Sequence, residues 1–106
     1  MSGFLDGLAT ELARDAPVQL RTMFRSPGIS IDNKIIAFLG HNDRLILKLP
    51  LARASQLIAD GTVEPVTMGT RTMREWVAIE IGSAPDERRD IWLPLAREAL
   101  EYVRDG

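Results

Sequence analysis

Four short runs typical of β-strands, separated by turn residues, lie between residues 18 and 49 and restrict the folds open to this chain. The predicted strands cover residues 18–25, 29–31, 35–39 and 45–49. The predicted turns are Ser26-Pro27-Gly28, Asp32-Asn33 and Gly40-His41-Asn42-Asp43. The first run alternates as in a strand with one buried face, and the third is continuously apolar, as in a central strand. Because strands joined by such short turns run antiparallel, the pattern predicts an antiparallel sheet.

Three amphipathic segments accompany these strands and predict helices. Apolar residues recur at helical spacing over residues 3–14, 51–60 and 87–104. Gly61 is placed to end the second helix in the left-handed conformation, and Asp86 is placed to cap the third helix at its N-terminus. The third helix has the strongest apolar stripe, made of Ile91, Trp92, Leu95, Ala96, Ala99, Leu100 and Val103.

The segment between the second and third helices contributes two further strands. Residues 63–67 form a predicted strand that Pro65 confines to a sheet edge, because proline cannot donate to a ladder. Residues 68–72 are a predicted loop and residues 76–81 a strand. The order α-β-β-β-β-α-β-β-α predicts an α+β fold, a two-layer sandwich with helices packed on one face of an antiparallel sheet. We expect a single domain over residues 1–106.

The sequence contains no cysteine, no signal-peptide pattern and no long apolar run, and these absences exclude several kinds of site. The chain has no cysteine, which excludes disulfides, thiolate metal sites and cysteine catalysis and fits a reducing compartment. The first residues lack the pattern of a signal peptide, and no apolar run approaches the roughly 20 residues of a membrane helix. We therefore expect a cytoplasmic protein that does not engage a membrane.

Side chains able to carry catalysis or to hold a metal are few. His41 is the only histidine, and it lies in a predicted turn where Asp43 adds a single carboxylate. The serines lack a base, and the turn glycines match no phosphate-binding loop. The acids Asp86, Glu87 and Asp90 fall in the first turn of the last predicted helix, where they favour the helix dipole. We expect no enzymatic activity, no metal and no cofactor.

Basic residues concentrate in the middle of the chain. Residues 21–74 carry eight Lys/Arg and four acids, for a local charge of +4, although the whole chain has a net charge of −2. One interpretation is a basic rim that binds a partner or a nucleic acid, and the other is scattered charge that pairs with acidic helices or faces solvent. The candidate surface consists of Arg21, Arg25, Lys48, Arg71, Arg74 and Trp76.

The two tryptophans differ in their expected environments. Trp92 lies on the apolar stripe of the last predicted helix, so we expect it in the core. Trp76 alternates with Ala78 and Glu80 on a predicted strand, and this pattern does not decide which face of the sheet Trp76 lies on. Burial of Trp76 is the favoured interpretation. If it is exposed beside Arg74, it would stack on a base or anchor a protein partner.

Several short phrases resemble the N-terminal domain of TfoX/Sxy proteins, in order and spacing, over residues 14–104. The phrases are Met23-Phe24, the hairpin at Asp32, Phe38-Leu39, residues 44–49, residues 73–77 and residues 92–99. The resemblance implies an α+β domain of the predicted kind. It also implies the role of the best-known members, which regulate natural competence and assist transcription at competence promoters. Those members have a second, helical C-terminal domain without a counterpart in this sequence, so the resemblance is to a stand-alone N-terminal domain.

Two phrases depart from the family pattern. Arg25-Ser26-Pro27 stands where the family often has glycines, and residues 73–76 stand where it often has a Pro-Tyr-rich phrase. If those loops contact a partner, the partner of this chain differs from that of the family.

The sequence thus predicts a non-enzymatic regulatory or adaptor domain that acts through protein contacts at residues 23–28 and 71–76, as a monomer or a homodimer. The partner is unidentified. The alternative function is direct, weak nucleic-acid binding through the basic segment 21–74. Binding of a small ligand between the sheet and the helices is a third possibility.

Overall fold

The computed structural model describes residues 3–14, 16–23, 26–40, 44–68, 70–80 and 89–105. Its helices are α1 (Gly3–Ala13), α2 (Leu51–Ala59) and α3 (Arg89–Asp105). Its strands are β1 (Gln19–Met23), β2 (Ser26–Ile31), β3 (Lys34–Leu39), β4 (Arg44–Lys48), β5 (Glu64–Met68) and β6 (Arg71–Glu80). The predicted element order, α-β-β-β-β-α-β-β-α, is confirmed.

The strands form one sheet in the spatial order β1-β2-β3-β4-β6-β5. Every neighbouring pair is antiparallel. The apolar strand β3 is central, and β5, which contains Pro65, lies at an edge. Both positions agree with the sequence prediction, because a central strand is flanked on both sides and an edge strand needs fewer backbone donors.

The helices pack on one face of this sheet and complete the core. One buried cluster joins side chains of all three helices to alternate residues of the strands. Its helical members include Leu8, Leu12, Ala54, Leu57, Trp92 and Leu100. Trp92 is only 4% exposed, which confirms its predicted place in the core. The predicted α+β two-layer sandwich is confirmed.

Alternation along β4 separates the two faces of the sheet. Leu47 is completely buried, and its cross-strand neighbours Ala37 and Val77 are buried as well. Ile46 and Lys48 point to the opposite face and are partly exposed. In the described part of the chain, no helix lies over that second face.

The predicted hairpin turn and helix end have the expected backbone conformations. Asp32 and Asn33 have φ values of 51° and 65°, as a two-residue hairpin requires. Gly61 has a φ of 79° and ends α2. Its amide donates to the carbonyl of Ile58 at 3.1 Å, and the amide of Thr62 donates to Leu57 at 3.1 Å. These bonds satisfy the last helical carbonyls, as in a Schellman motif.

The predicted break at Ser26-Pro27-Gly28 is wrong, because β2 begins at Ser26. Pro27 pairs with Thr22 of β1, but the ladder to β3 starts only at Gly28. The proline therefore lies where the ladder to β3 has not begun, a position that tolerates a missing donor. Gly28 is a strand residue that pairs with Phe38 of β3. The two strands are so close here that a side chain at position 28 would crowd Phe38.

The predicted loop over residues 68–72 is too long, because the described turn residue between the two strands is Thr70. Met68 pairs with Arg71, and Thr67 pairs with Thr72, so both strands continue to the hairpin tip. Threonine is β-branched and favours strands, which outweighs its frequent use in loops.

One member of the predicted stripe on α3 is not buried. Ile91 is 40% exposed, because it lies in the first turn of the described helix and at the margin of the stripe. Residues 41–43, the predicted cap Asp86 and Phe24 lie outside the described residues. Within the described ranges, no helix combines the length and the apolar character needed to cross a membrane.

Candidate binding face

The sheet face opposite the helices carries a row of large side chains from the central strands. Phe38 of β3 lies opposite Ile46 of β4, and Ile46 lies opposite Ala78 of β6. One step along the same face, Lys48 lies opposite Trp76. We call these five residues the open face, because no described helix covers them. Ala78 is buried at its centre, and the other four are partly exposed.

An aromatic pair forms the largest part of the open face. The ring centroids of Phe38 and Trp76 are 5.6 Å apart, with an interplanar angle of 62°, in an edge-to-face arrangement. Such pairs contribute about 0.5–1.5 kcal/mol beyond their buried area. The ammonium of Lys48 lies 5.7 Å from the Trp76 ring centroid, within the range of a cation–π contact. The indole ring therefore has defined neighbours although Trp76 is partly exposed.

An irregularity in β6 leaves Trp76 without a neighbour on the outer strand. Pro65 pairs with Val77, but the next residue of β5, Val66, pairs with Met73. Residues 74–76 therefore have no partner on β5 and form a large bulge. Bulges bend a strand and redirect side chains at a sheet edge. On this face Trp76 is flanked by β4 alone, which explains why it is neither buried nor fully exposed.

Ion pairs hold two of the basic residues in the middle of the chain, Arg44 and Arg53. Arg44 pairs with Glu64 across the outer part of the sheet. Arg53 binds both carboxylate oxygens of Glu98, at 2.8 and 3.0 Å, and so links α2 to α3. Among the described residues, no carboxylate lies within ion-pair distance of Lys48. Lys48 therefore keeps a free charge on the open face.

Two of the six predicted surface residues come together, namely Lys48 and Trp76. Arg74 lies in the bulge of β6, two positions before Trp76, and is exposed. Trp76 itself is half-buried, so its favoured burial in the core is wrong. The reason is that its strand position faces away from the helices and the bulge removes its outer neighbour.

The remaining predicted residues do not extend this group. Arg21 lies on β1, four strands from β6, which corresponds to a separation of about 19 Å. Its guanidinium donates to Asn33 at 3.2 Å. A single rim that joins Arg21 to Arg74 is therefore absent from the described surface. Arg25 and the side chain of Arg71 lie outside the described residues.

Sequence reasoning missed three residues near this site. Phe38 and Ile46 fall in runs of apolar residues, where composition does not reveal which side chains face the helices. Tyr102 is the only tyrosine and lies on α3, beside the apolar stripe. Its hydroxyl donates to the carboxylate of Glu75 in the β6 bulge. The only sequence signal for Tyr102 was that this residue, which carries a polar hydroxyl, precedes Val103 of the apolar stripe.

The Tyr102–Glu75 bond changes the titration of the tyrosine. The hydrogen bond to Glu75 is the main cause that raises the pKa of Tyr102 above its ordinary value, with smaller contributions from desolvation and from the negative charge of Glu75. The folded-state pKa lies above the unfolded one, so the protonated phenol is favoured by folding. Its stabilising contribution is present below about pH 10 and is lost as the pH rises through the folded pKa.

We expect Glu75→Ala to lower the pKa of Tyr102 towards the ordinary tyrosine value, because it removes the acceptor and its charge. Ultraviolet absorbance of the phenolate during an alkaline titration reports on this residue alone, since the chain has one tyrosine. Glu80→Ala is the matched control, because Glu80 is exposed on the same strand. An equal change in both variants would contradict a specific Tyr102–Glu75 bond.

No family model matches the chain, and no curated protein matches it. Among the described residues, no three histidine, aspartate or glutamate side chains group as metal ligands. His41 and Glu87 lie outside those residues. The fold and the face together define an α+β two-layer domain with a partly exposed aromatic sheet surface.

Proposed function

We propose that this chain is a non-enzymatic regulatory or adaptor domain that binds a protein partner through the open face. The observation that carries this proposal is the partly exposed Phe38–Trp76 pair on the sheet face opposite the helices. Aromatic side chains with an ordered geometry are enriched among the residues that dominate binding energy at protein interfaces.

The surroundings of the aromatic pair fit a protein interface. Ile46 and Ala78 provide apolar contact area between the strands, and interface centres are depleted of charge. Arg44 and Glu64 form an ion pair at one side, where a polar rim would lie. Lys48 supplies one free positive charge, which favours a partner with a carboxylate beside its apolar contact.

The resemblance to the N-terminal domain of TfoX/Sxy proteins supports a regulatory partner. By that resemblance, the domain would act in the cytoplasm on a component of transcription, as competence regulators do. The contact surface differs from the one predicted from sequence. It is centred on Phe38, Ile46 and Trp76, and only the last of these belongs to the predicted segment 71–76.

Single-stranded nucleic acid is the second candidate, because exposed aromatic rings next to a lysine are also used to stack bases. The charge of the face weighs against it. Lys48 is the one cation among the five residues of the open face, and the nearby Arg44 is paired with Glu64. Nucleic-acid affinity depends on many phosphate contacts and falls steeply with salt.

The test is capture of a partner from native cytosol by the immobilised chain and by an Ile46→Glu variant. A carboxylate at the centre of an apolar interface loses hydration without a partner, so we expect at least a roughly tenfold loss of the captured protein. Quantitative mass spectrometry measures the ratio. Leu51→Glu is the matched control, because Leu51 is 48% exposed but lies on α2.

If the open face binds a protein, Leu51→Glu should retain the partner and nuclease treatment should leave capture unchanged. Equal capture by Ile46→Glu and the native chain would reject the open face as the contact surface. A gel shift with single-stranded DNA at low salt tests the alternative. Binding that disappears with added salt and with Trp76→Ala would favour nucleic acid, and no binding at low salt would exclude it.

A further inference from the structure

A cleft opens at one end of the sheet, beside the C-terminal end of α3. Its volume is about 390 Å³, and it is lined by Lys34, Ile35, Lys48, Trp76, Tyr102 and Val103. Lys34 begins β3 and Lys48 ends β4, so strand ends and a helix end meet here. Small-molecule sites commonly occupy roughly 300–1,000 Å³. The cleft is therefore large enough for one compact ligand.

The lining draws together residue types that are rare in this chain. Lys34 and Lys48 are the only two lysines among thirteen basic residues, and both line the cleft. Tyr102 is the only tyrosine, and Trp76 is one of two tryptophans. Ile35 adds apolar surface. Two lysines and two aromatic residues thus border the same small volume.

The positive charges of the cleft lie on Lys34 and Lys48. Among the described residues, neither Lys34 nor Lys48 has a carboxylate within ion-pair distance. The nearby carboxylate of Glu75 accepts the hydroxyl of Tyr102, and Asp105 pairs with Arg104 at 3.3 Å.

The end of α3 carries a partial negative charge of about half an elementary charge, and Glu75 keeps its own charge. The carboxylate of Glu75 is hydrogen-bonded to Tyr102, and the carboxylate of Asp105 is ion-paired with Arg104. The two lysines therefore remain as the groups available to an anion.

We propose that this cleft binds a small planar aromatic anion, a ring system that carries a phosphate or a carboxylate. The rings of Trp76 and Tyr102 would flank the ligand ring, and apolar contact would come from Ile35 and Val103. Lys34 and Lys48 would hold the anionic group, since ammonium groups bind phosphate and carboxylate with charge-assisted hydrogen bonds. Such a ligand would also occupy Lys48 and Trp76 of the open face, so it would compete with a partner there.

The experiment is a titration of the ¹⁵N-labelled chain followed by NMR, with adenosine monophosphate as the phosphate probe and indole-3-carboxylate as the carboxylate probe. We expect the indole N–H of Trp76 to shift while that of Trp92, buried in the core, stays in place. The two probes distinguish a phosphate source from a carboxylate source. Ligand binding needs no protein partner, so its failure and the failure of the proposed function are separate results.

Two variants test the role of the lysines. Lys34→Met and Lys48→Met should each weaken the better probe roughly tenfold, as expected for the loss of one charge-assisted contact. Lys34 is exposed, so its replacement leaves the core intact. Arg14→Met is the control, because it removes one positive charge at a side chain that is 70% exposed at the end of α1.

The outcomes that overturn the proposal are specific. Absence of a Trp76 shift with both probes at millimolar concentration would reject the site. Adenosine that binds as tightly as adenosine monophosphate would reject the anion contact. Inorganic phosphate that produces the same shifts with the same affinity would reject the contact with the ring.

Discussion

Replacing Leu47 with alanine is expected to lower the free energy of unfolding by about 3 kcal/mol. Leu47 has no exposed surface and lies under the helices, between Ala37 and Val77 of the neighbouring strands. Truncation removes buried methyl groups and leaves a cavity that the rigid sheet cannot fill. Since small domains are stable by roughly 5–15 kcal/mol, this loss is a large fraction of the total.

The adjacent residue provides the internal comparison for this prediction. Ile46 lies on the open face and is only partly buried, so Ile46→Ala should cost about 1 kcal/mol. Urea denaturation of both variants and the native chain measures the difference, provided that the slope against denaturant is unchanged. The ratio of the two losses in unfolding free energy measures how differently the side chains on the two faces of β4 are buried.

Equal losses at Leu47 and Ile46 would have a direct consequence for function. They would mean that the open face is as well buried in solution as the helical face. A partner could then reach Phe38 and Trp76 only after a rearrangement of the domain. A small loss at Ile46 supports the proposed contact surface, because a residue that contributes little to folding is free to contribute to binding.

Local sequence signals predicted most of the architecture. The apolar runs of β3 and β4 and the turn pair Asp32-Asn33 depend on neighbours within a few residues, so they indicate strands and a turn without knowledge of the fold. The same holds for Gly61, because the left-handed conformation at a helix end is a local property. These features gave the element order and the antiparallel sheet.

Predictions failed where a distant neighbour decides the conformation. Ser26-Pro27-Gly28 has the composition of a turn, but Gly28 is paired with Phe38 across β2 and β3. Residues 68–72 also resemble a loop until Thr67 is seen opposite Thr72. Pairing across a ladder overrides local turn preference, and a single sequence does not reveal the register of that pairing.

The candidate face was predicted only in part for a similar reason. Lys48 and Trp76 were identified by residue type, and their contact depends on the register of β4 against β6. The partial exposure of Trp76 also depends on the bulge at residues 74–76. The amino-acid composition of that segment does not predict a bulge. Phe38 was hidden in an apolar run, because a continuous run does not show which side chains face the helices. Arg21 was grouped with them by charge, although three strands lie between β1 and β6.

Replacing Gly28 with valine is the second change expected to have a large effect, with a loss of about 2–3 kcal/mol in the free energy of unfolding. A Cβ atom at this position would lie 3.2 Å from the carbonyl oxygen of Ala37 and 3.3 Å from the Cβ of Phe38. Both atoms belong to the central strand β3, which is held on its other side by β4. The strand cannot move aside without disturbing a second ladder, so the crowding outweighs the strand preference of valine.

The same substitution also tests the link between the sheet and the open face. Phe38 contacts the ring of Trp76, so its displacement should change the fluorescence of Trp76 while Trp92 keeps its buried environment. Gly7→Ala is the control of opposite sign. Gly7 lies in α1, and an added Cβ would meet no atom within 4 Å, so alanine should raise stability by about 0.5–1 kcal/mol. If Gly28→Val were neutral, the close approach of β2 to Phe38 would not constrain the sheet, and the strand role assigned to Gly28 would be wrong.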